Sequence, residues 1–131
     1  IPFFRHPIKE NIESLKKIYG KNDSKIYLVS SRFSFLKGRT KIWDRVNNIF
    51  RYFEKTYFNF GDEQPHIFKD KIIKKERIEK FIDDDLDLLN YLSKKNPNVK
   101  FYWINKKNLN KRLSENIFHI KNIEEFLNKY V

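Results

Sequence analysis

The sequence predicts an α/β protein with a mostly parallel sheet covered by helices on both faces, and three observations support this. Short apolar runs recur along the chain without polar–apolar alternation, the pattern of strands buried on both sides. Between them, apolar residues fall at helical spacing, so strand-like and helix-like segments alternate as in βαβ units. The composition, 40% hydrophobic and 17% aromatic over 131 residues, suits one folded domain with a sizeable core.

In order, Ile8, Ile12, Leu15 and Ile18 or Tyr19 mark the first helical face, and Gly20 follows as a stop. KIYLVSS (25–31) is the first strand. Leu36, Trp43, Val46, Phe50 and Phe53 lie on one face of a long helix, and TYFNF (56–60) is the second strand, stopped by GDEQP. Phe68, Ile72 and Ile73 predict a helix ending near Arg77, followed by the strand KFI (80–82). Leu86, Leu88, Leu89 and Leu92 continue as a helix to the turn KKNPN, and VKFYWI (99–104) is the next strand. Phe101, Tyr102 and Trp103 are consecutive, so they point to opposite faces of that strand, beneath helices on both sides. After the polar stretch NKKNLNKRLSEN comes a short apolar piece, Ile117 to Ile120. A last helix carries Ile123, Phe126, Leu127 and Tyr130.

Several function classes drop out early. The chain has no cysteine, so it has no disulfide, thiolate metal site or thiol nucleophile, which fits a reducing, cytoplasmic setting. No apolar run approaches the roughly 18 residues of a membrane span, and the amino end does not read as a signal peptide. Three glycines cannot build a P-loop or a dinucleotide fingerprint. Ser30 and Ser31 lack the G-x-S-x-G elbow of a serine hydrolase. The formal net charge of +11 allows nucleic acid as a partner, although the lysines are scattered and not gathered into one stripe. A positive field would equally steer a small anionic substrate.

Ligands of an open parallel sheet sit beyond the carboxyl ends of its strands. The first strand is followed by Ser30, Ser31 and Arg32, the second by Asn59, Gly61, Asp62, Glu63 and Gln64, and the third by Asp83, Asp84, Asp85 and Asp87. A hydroxyl, backbone N–H groups and an arginine fork can hold a phosphate at such a turn. Four aspartates within five positions repel one another, and a hard cation such as magnesium, bound through one or two carboxylates plus substrate phosphate, would offset that. Capping of the helix near Leu86 by Asp83 or Asp84 accounts for one or two acids comfortably and for four poorly. His66, in DEQPHIF, lies near Lys69 on the same rim. Pro65-His66 also reads as the first turn of a helix. His6 and His119 show no metal-ligand spacing with each other or with acids.

Taken together, IYLVSSR followed by a helix, and then FKDKIIKKERIEKFIDDD, resemble the haloacid dehalogenase superfamily of phosphohydrolases. Its second motif is an apolar strand ending in Ser or Thr, matched by Ser30. Its third is a Lys near the start of the helix before an acidic strand, matched by Lys69, 14 positions before Asp83, with Lys71 the alternative. Its fourth is an apolar strand ending in two acids, matched by Asp83 and Asp84. Among its branches, the deoxyribonucleotidase-like members are the most similar. The resemblance implies a Rossmann-like three-layer sandwich in which Ser30 and Lys69 hold the transferring phosphoryl group. Ser31, Arg32 and His66 would contact substrate, and Asp84, assisted by Asp83 or Asp87, would bind magnesium.

The chain departs from the family at the first motif, a strand ending DxDx[T/V] that supplies the attacking aspartate and the general acid/base. Asp23, in KNDSK, reads as a turn, and Asp44 falls on a helix. The missing strand is the central one of the family's sheet, flanked by the strands ending at Ser30 and Asp83. Its loss leaves two inner edges unpaired. The chain has no Met and opens on Ile1-Pro2, and the expectation is that an upstream segment supplies this strand, IPFFRHP being where the chain returns from a cap. The function expected is a magnesium-dependent phosphohydrolase of a small phosphorylated metabolite such as a nucleotide. The alternative is a non-catalytic basic domain of the same type that binds nucleic acid or an acidic partner.

Overall fold

The computed structural model describes residues 25–30, 54–107 and 110–130. The helices expected over Ile8–Gly20 and Leu36–Phe53, together with Asp23, Ser31, Arg32 and Asp44, lie outside the described residues. The chain divides into two compact units, Ile1–Gln64 and Pro65–Val131. Both contain parallel strands, and with the helices of the second unit they make the protein α/β.

In the first unit, β1 (Tyr27–Ser30) pairs in parallel with β2 (Lys55–Phe58), Ser30 standing opposite Phe58. Past β2 the chain turns at once. The Asn59 side chain donates to the Glu63 carbonyl at 2.6 Å and accepts from the Glu63 amide at 2.9 Å. Asp62 has a positive φ of 53°, a conformation Asp tolerates better than most residues.

The second unit runs α1 (Pro65–Glu76), β3 (Lys80–Asp83), α2 (Leu86–Lys95), β4 (Lys100–Ile104), β5 (Ile117–Ile120) and α3 (Ile123–Tyr130). Its strands form one parallel sheet in the order β3-β4-β5. Alternation along the strands sorts the core into two layers. Phe81, Phe101, Trp103 and Ile117 face Ile73 of α1 and Leu88, Leu89 and Leu92 of α2. Tyr102 and Ile120 face Phe126 of α3, with Ile82, Phe118 and Tyr130 at the margin. Helices therefore cover both faces of this sheet, and the three consecutive aromatics of β4 are all buried. The hydroxyl of Tyr102, 0% exposed, is the one buried side-chain polar atom without a hydrogen-bond partner among the described residues. Its ring is boxed by the rings of Phe118, Phe126 and Tyr130.

Helix ends follow from local chemistry. Pro65 occupies the first position of α1, where its missing N–H costs nothing. α1 closes with the Ile78 amide donating to the Ile73 carbonyl while Arg77 takes φ 53°, a position where Gly is usual. At α3, the Asn122 side chain accepts from the Glu125 amide, and the Glu125 carboxylate accepts from the Lys121 amide. Among the described residues, no helix is long and apolar enough to cross a membrane.

Candidate functional site

In a parallel sheet all strands end on the same rim, and here that rim carries the acids. The register places Asp83 of β3 opposite Trp103 of β4, and Trp103 opposite His119 of β5, so the three share one row and one face. α1 and α2 pack on that face, which is why a long side chain from the first turns of α1 can reach the row.

Lys69 makes that reach. It is 2% exposed, and its Nζ donates to Asp83 Oδ2 at 2.6 Å. The other Asp83 oxygen accepts from the Asp85 amide at 3.0 Å, so both oxygens are held. Helical spacing explains the choice of lysine, since Phe68, Lys69, Ile72 and Ile73 are the buried residues of α1 while Lys71 is exposed. Of the two candidate lysines, Lys69 meets the acids.

Asp84 follows, with its backbone carbonyl accepting from Trp103 Nε1 at 3.1 Å. As a whole residue it is exposed. Its carboxyl nonetheless loses hydration against its neighbours. This partial burial, the hydrogen-bonding contact with the Asp83 carboxyl and the Asp83 charge together raise its pKa above the usual carboxylate value. Two carboxyls this close favour a shared proton or a cation between them.

The four aspartates divide their work. Asp85, not Asp83 or Asp84, caps α2: its side chain accepts from the Leu88 amide at 3.2 Å. Asp87 is exposed in the first turn of α2, where its charge complements the helix dipole. That leaves Asp83 and Asp84 as the pair at the rim. Among the described residues no group of three or more His, Asp or Glu side chains is placed to hold a metal ion. Two adjacent carboxylates match what magnesium takes from protein when waters and phosphate complete its shell.

The remaining sequence candidates fall as follows. Ser30 closes β1 in the first unit. Ser31 and Arg32 lie outside the described residues. His66 sits in the first turn of α1, its ring edge-on to Tyr91 of α2 at 4.6 Å between centroids. Asn59, counted above among the rim residues, spends its amide on the turn after β2. Sequence reasoning missed Trp103 and His119 as neighbours of the acids. His119 Nε2 pairs with the Asn105 carbonyl at 2.8 Å, and its ring lies 5.2 Å from that of Trp103. The signal available was the position of Trp103 near the end of a strand that pairs with the acidic one, legible only once the register is known. No family model, curated protein or solved structure matches the chain.

Proposed function

We propose that the chain is the core of a magnesium-dependent phosphohydrolase of the haloacid dehalogenase type, acting on a small phosphorylated metabolite such as a nucleotide. The observation that carries this reading is the buried Lys69–Asp83 pair beside Asp84, at the carboxyl end of a parallel strand. Lys69 lies 14 residues before Asp83, a usual separation between the third and fourth motifs of that family.

In this reading the fold is Rossmann-like, and β3 borders a further strand that carries the nucleophilic aspartate. That aspartate lies outside these 131 residues. Its carboxylate oxygen attacks phosphorus, the ester P–O bond breaks and the leaving oxygen takes a proton; water then cleaves the acyl phosphate and restores the carboxylate. Lys69 places a fixed positive charge against the phosphoryl oxygens while holding Asp83. Asp84 and Asp83 would hold magnesium, which when bound neutralises charge on the phosphoryl group. The pKa of Asp84 is raised first by burial and then by the Asp83 carboxyl beside it, and a cation between the two carboxyls would offset the second of these effects.

The test is turnover of p-nitrophenyl phosphate and nucleoside monophosphates by the full-length protein, with and without magnesium. Asp84→Asn is expected to abolish magnesium-dependent turnover and to leave the fold intact. Magnesium should raise the Tm of the wild type and not that of Asp84→Asn. Turnover that survives both chelation and Asp84→Asn would defeat the reading. The absence of DxDx[T/V] from these residues and the charge of +11 favour, as second reading, a non-catalytic basic domain of this type binding nucleic acid or an acidic partner. Salt-sensitive oligonucleotide binding without any turnover would select it.

A further inference from the structure

We propose that Lys106, Lys107, Lys111 and Arg112, which follow β4, supply a second anion site beside the aspartate pair, so that the substrate is a phosphate ester bearing a further phosphate. This rests on reading the aspartate pair as the phosphoryl site.

Lys106, Lys107, Lys111 and Arg112 fall within seven positions, all exposed, and the only acid of the 105–116 stretch is Glu115. None of the four has a carboxylate partner among the described residues, whereas Lys74 and Lys129 are each paired one helical turn back, with Asp70 and Glu125. Four cations within seven positions, in a chain of net charge +11, favour a bound polyanion that offsets their charge.

Their place in the fold is what relates them to the site. β4 runs parallel to β3, so the segment leaving β4 emerges on the rim that carries Asp83 and Asp84. Its start is tied down: the Asn105 amide donates to the Ile120 carbonyl at 2.9 Å, and the Asn105 side chain accepts from the Lys107 amide at 2.9 Å. Farther along, Lys111 Nζ lies 5.9 Å from the centre of the Trp103 ring. The same indole donates to the Asp84 carbonyl, so one side chain separates this cation from the acidic pair. Lys111 and the adjacent Arg112, both exposed, bring the charged donors that a phosphate takes from protein. The second phosphate can come from a small bisphosphate or from the phosphorylated end of an oligonucleotide.

The experiment uses the full-length protein with magnesium and compares adenosine monophosphate, adenosine bisphosphate, and a short oligodeoxythymidine with and without a terminal phosphate. The readout is Kd, or KM where a probe is turned over, at one salt concentration. The second phosphate is expected to tighten binding about tenfold. Lys111→Gln combined with Arg112→Gln should remove most of that gain and leave adenosine monophosphate within about twofold. Lys94→Gln with Lys95→Gln, at the far end of α2 and hence on the opposite rim, should leave the gain in place. A gain confined to the bisphosphate identifies a small substrate; one confined to the terminally phosphorylated oligonucleotide identifies a nucleic-acid end. Equal affinity for one and two phosphates overturns the proposal, as does a gain that survives the Lys111/Arg112 change or falls equally in the Lys94/Lys95 control. A gain without hydrolysis of any probe keeps this site and removes the phosphohydrolase reading. Hydrolysis of the monophosphate without a gain does the reverse, and no binding of any probe removes both.

Discussion

Burying an ammonium group is costly unless a carboxylate is buried with it, and Lys69 and Asp83 meet that condition together. Removing one partner leaves the other charged and desolvated. Lys69→Ala should therefore destabilise the protein by about 3 kcal/mol, against less than about 0.5 kcal/mol for the exposed Lys71→Ala, as read by urea denaturation. Combining Lys69→Met with Asp83→Leu should recover much of that stability while leaving turnover abolished. Recovery of both would mean that the pair serves only the fold. The two motif positions are legible in the sequence by their spacing. Which of Lys69 and Lys71 turns inward depends on the buried stripe of α1, and a helix whose apolar and basic residues are so interleaved does not declare that stripe clearly.

At the level of elements, the aspartate run is divided by the start of α2. Asp85→Ala removes the cap on Leu88 and should cost about 1 kcal/mol, with Asp83 and Asp84 untouched; Asp85→Asn should cost less, since an amide oxygen still accepts. A second contact joins α1 to the end of α2, where the Asn96 side chain donates to Asp70 at 2.8 Å. Burial pushes the Asp70 pKa up, but hydrogen bonds from Lys74 and Asn96 and the charges of Lys74 and Lys95 outweigh it, and the net shift is downward. A carboxylate depressed in the folded state adds stability above its unfolded pKa and loses it as pH falls through the folded one. Asp70→Ala should thus cost about 1 kcal/mol at neutral pH. The difference from wild type should begin to close near the ordinary value of 3.8 and vanish below it, as followed by thermal melts across pH. Strands and helices of this unit were readable one by one, because unalternating apolar runs and helical stripes are local signals. The end of β3 was less so, since Asp83 belongs to the ladder opposite Trp103 and a charged residue at a strand end does not announce its pairing.

For the molecule as a whole, the charge of +11 is a self-repulsion that the folded chain must carry. Screening should relieve it, so Tm is expected to rise by a few degrees as salt goes from about 10 mM to about 150 mM. The buried Lys69–Asp83 pair is screened little and should not offset the gain; a Tm that falls with salt would show surface ion pairs dominating. The α/β class, the order of elements in the second unit and the chemical types at the strand ends were determined by the sequence itself, because periodicity and residue chemistry are properties of neighbours along the chain. Only the tertiary structure decided that Lys69 closes on Asp83, that Asp85 and not its neighbours caps α2, and that Trp103 meets both Lys111 and the Asp84 carbonyl. Those choices depend on strand register and on which face of each helix packs, and both are settled by contacts between residues far apart in sequence.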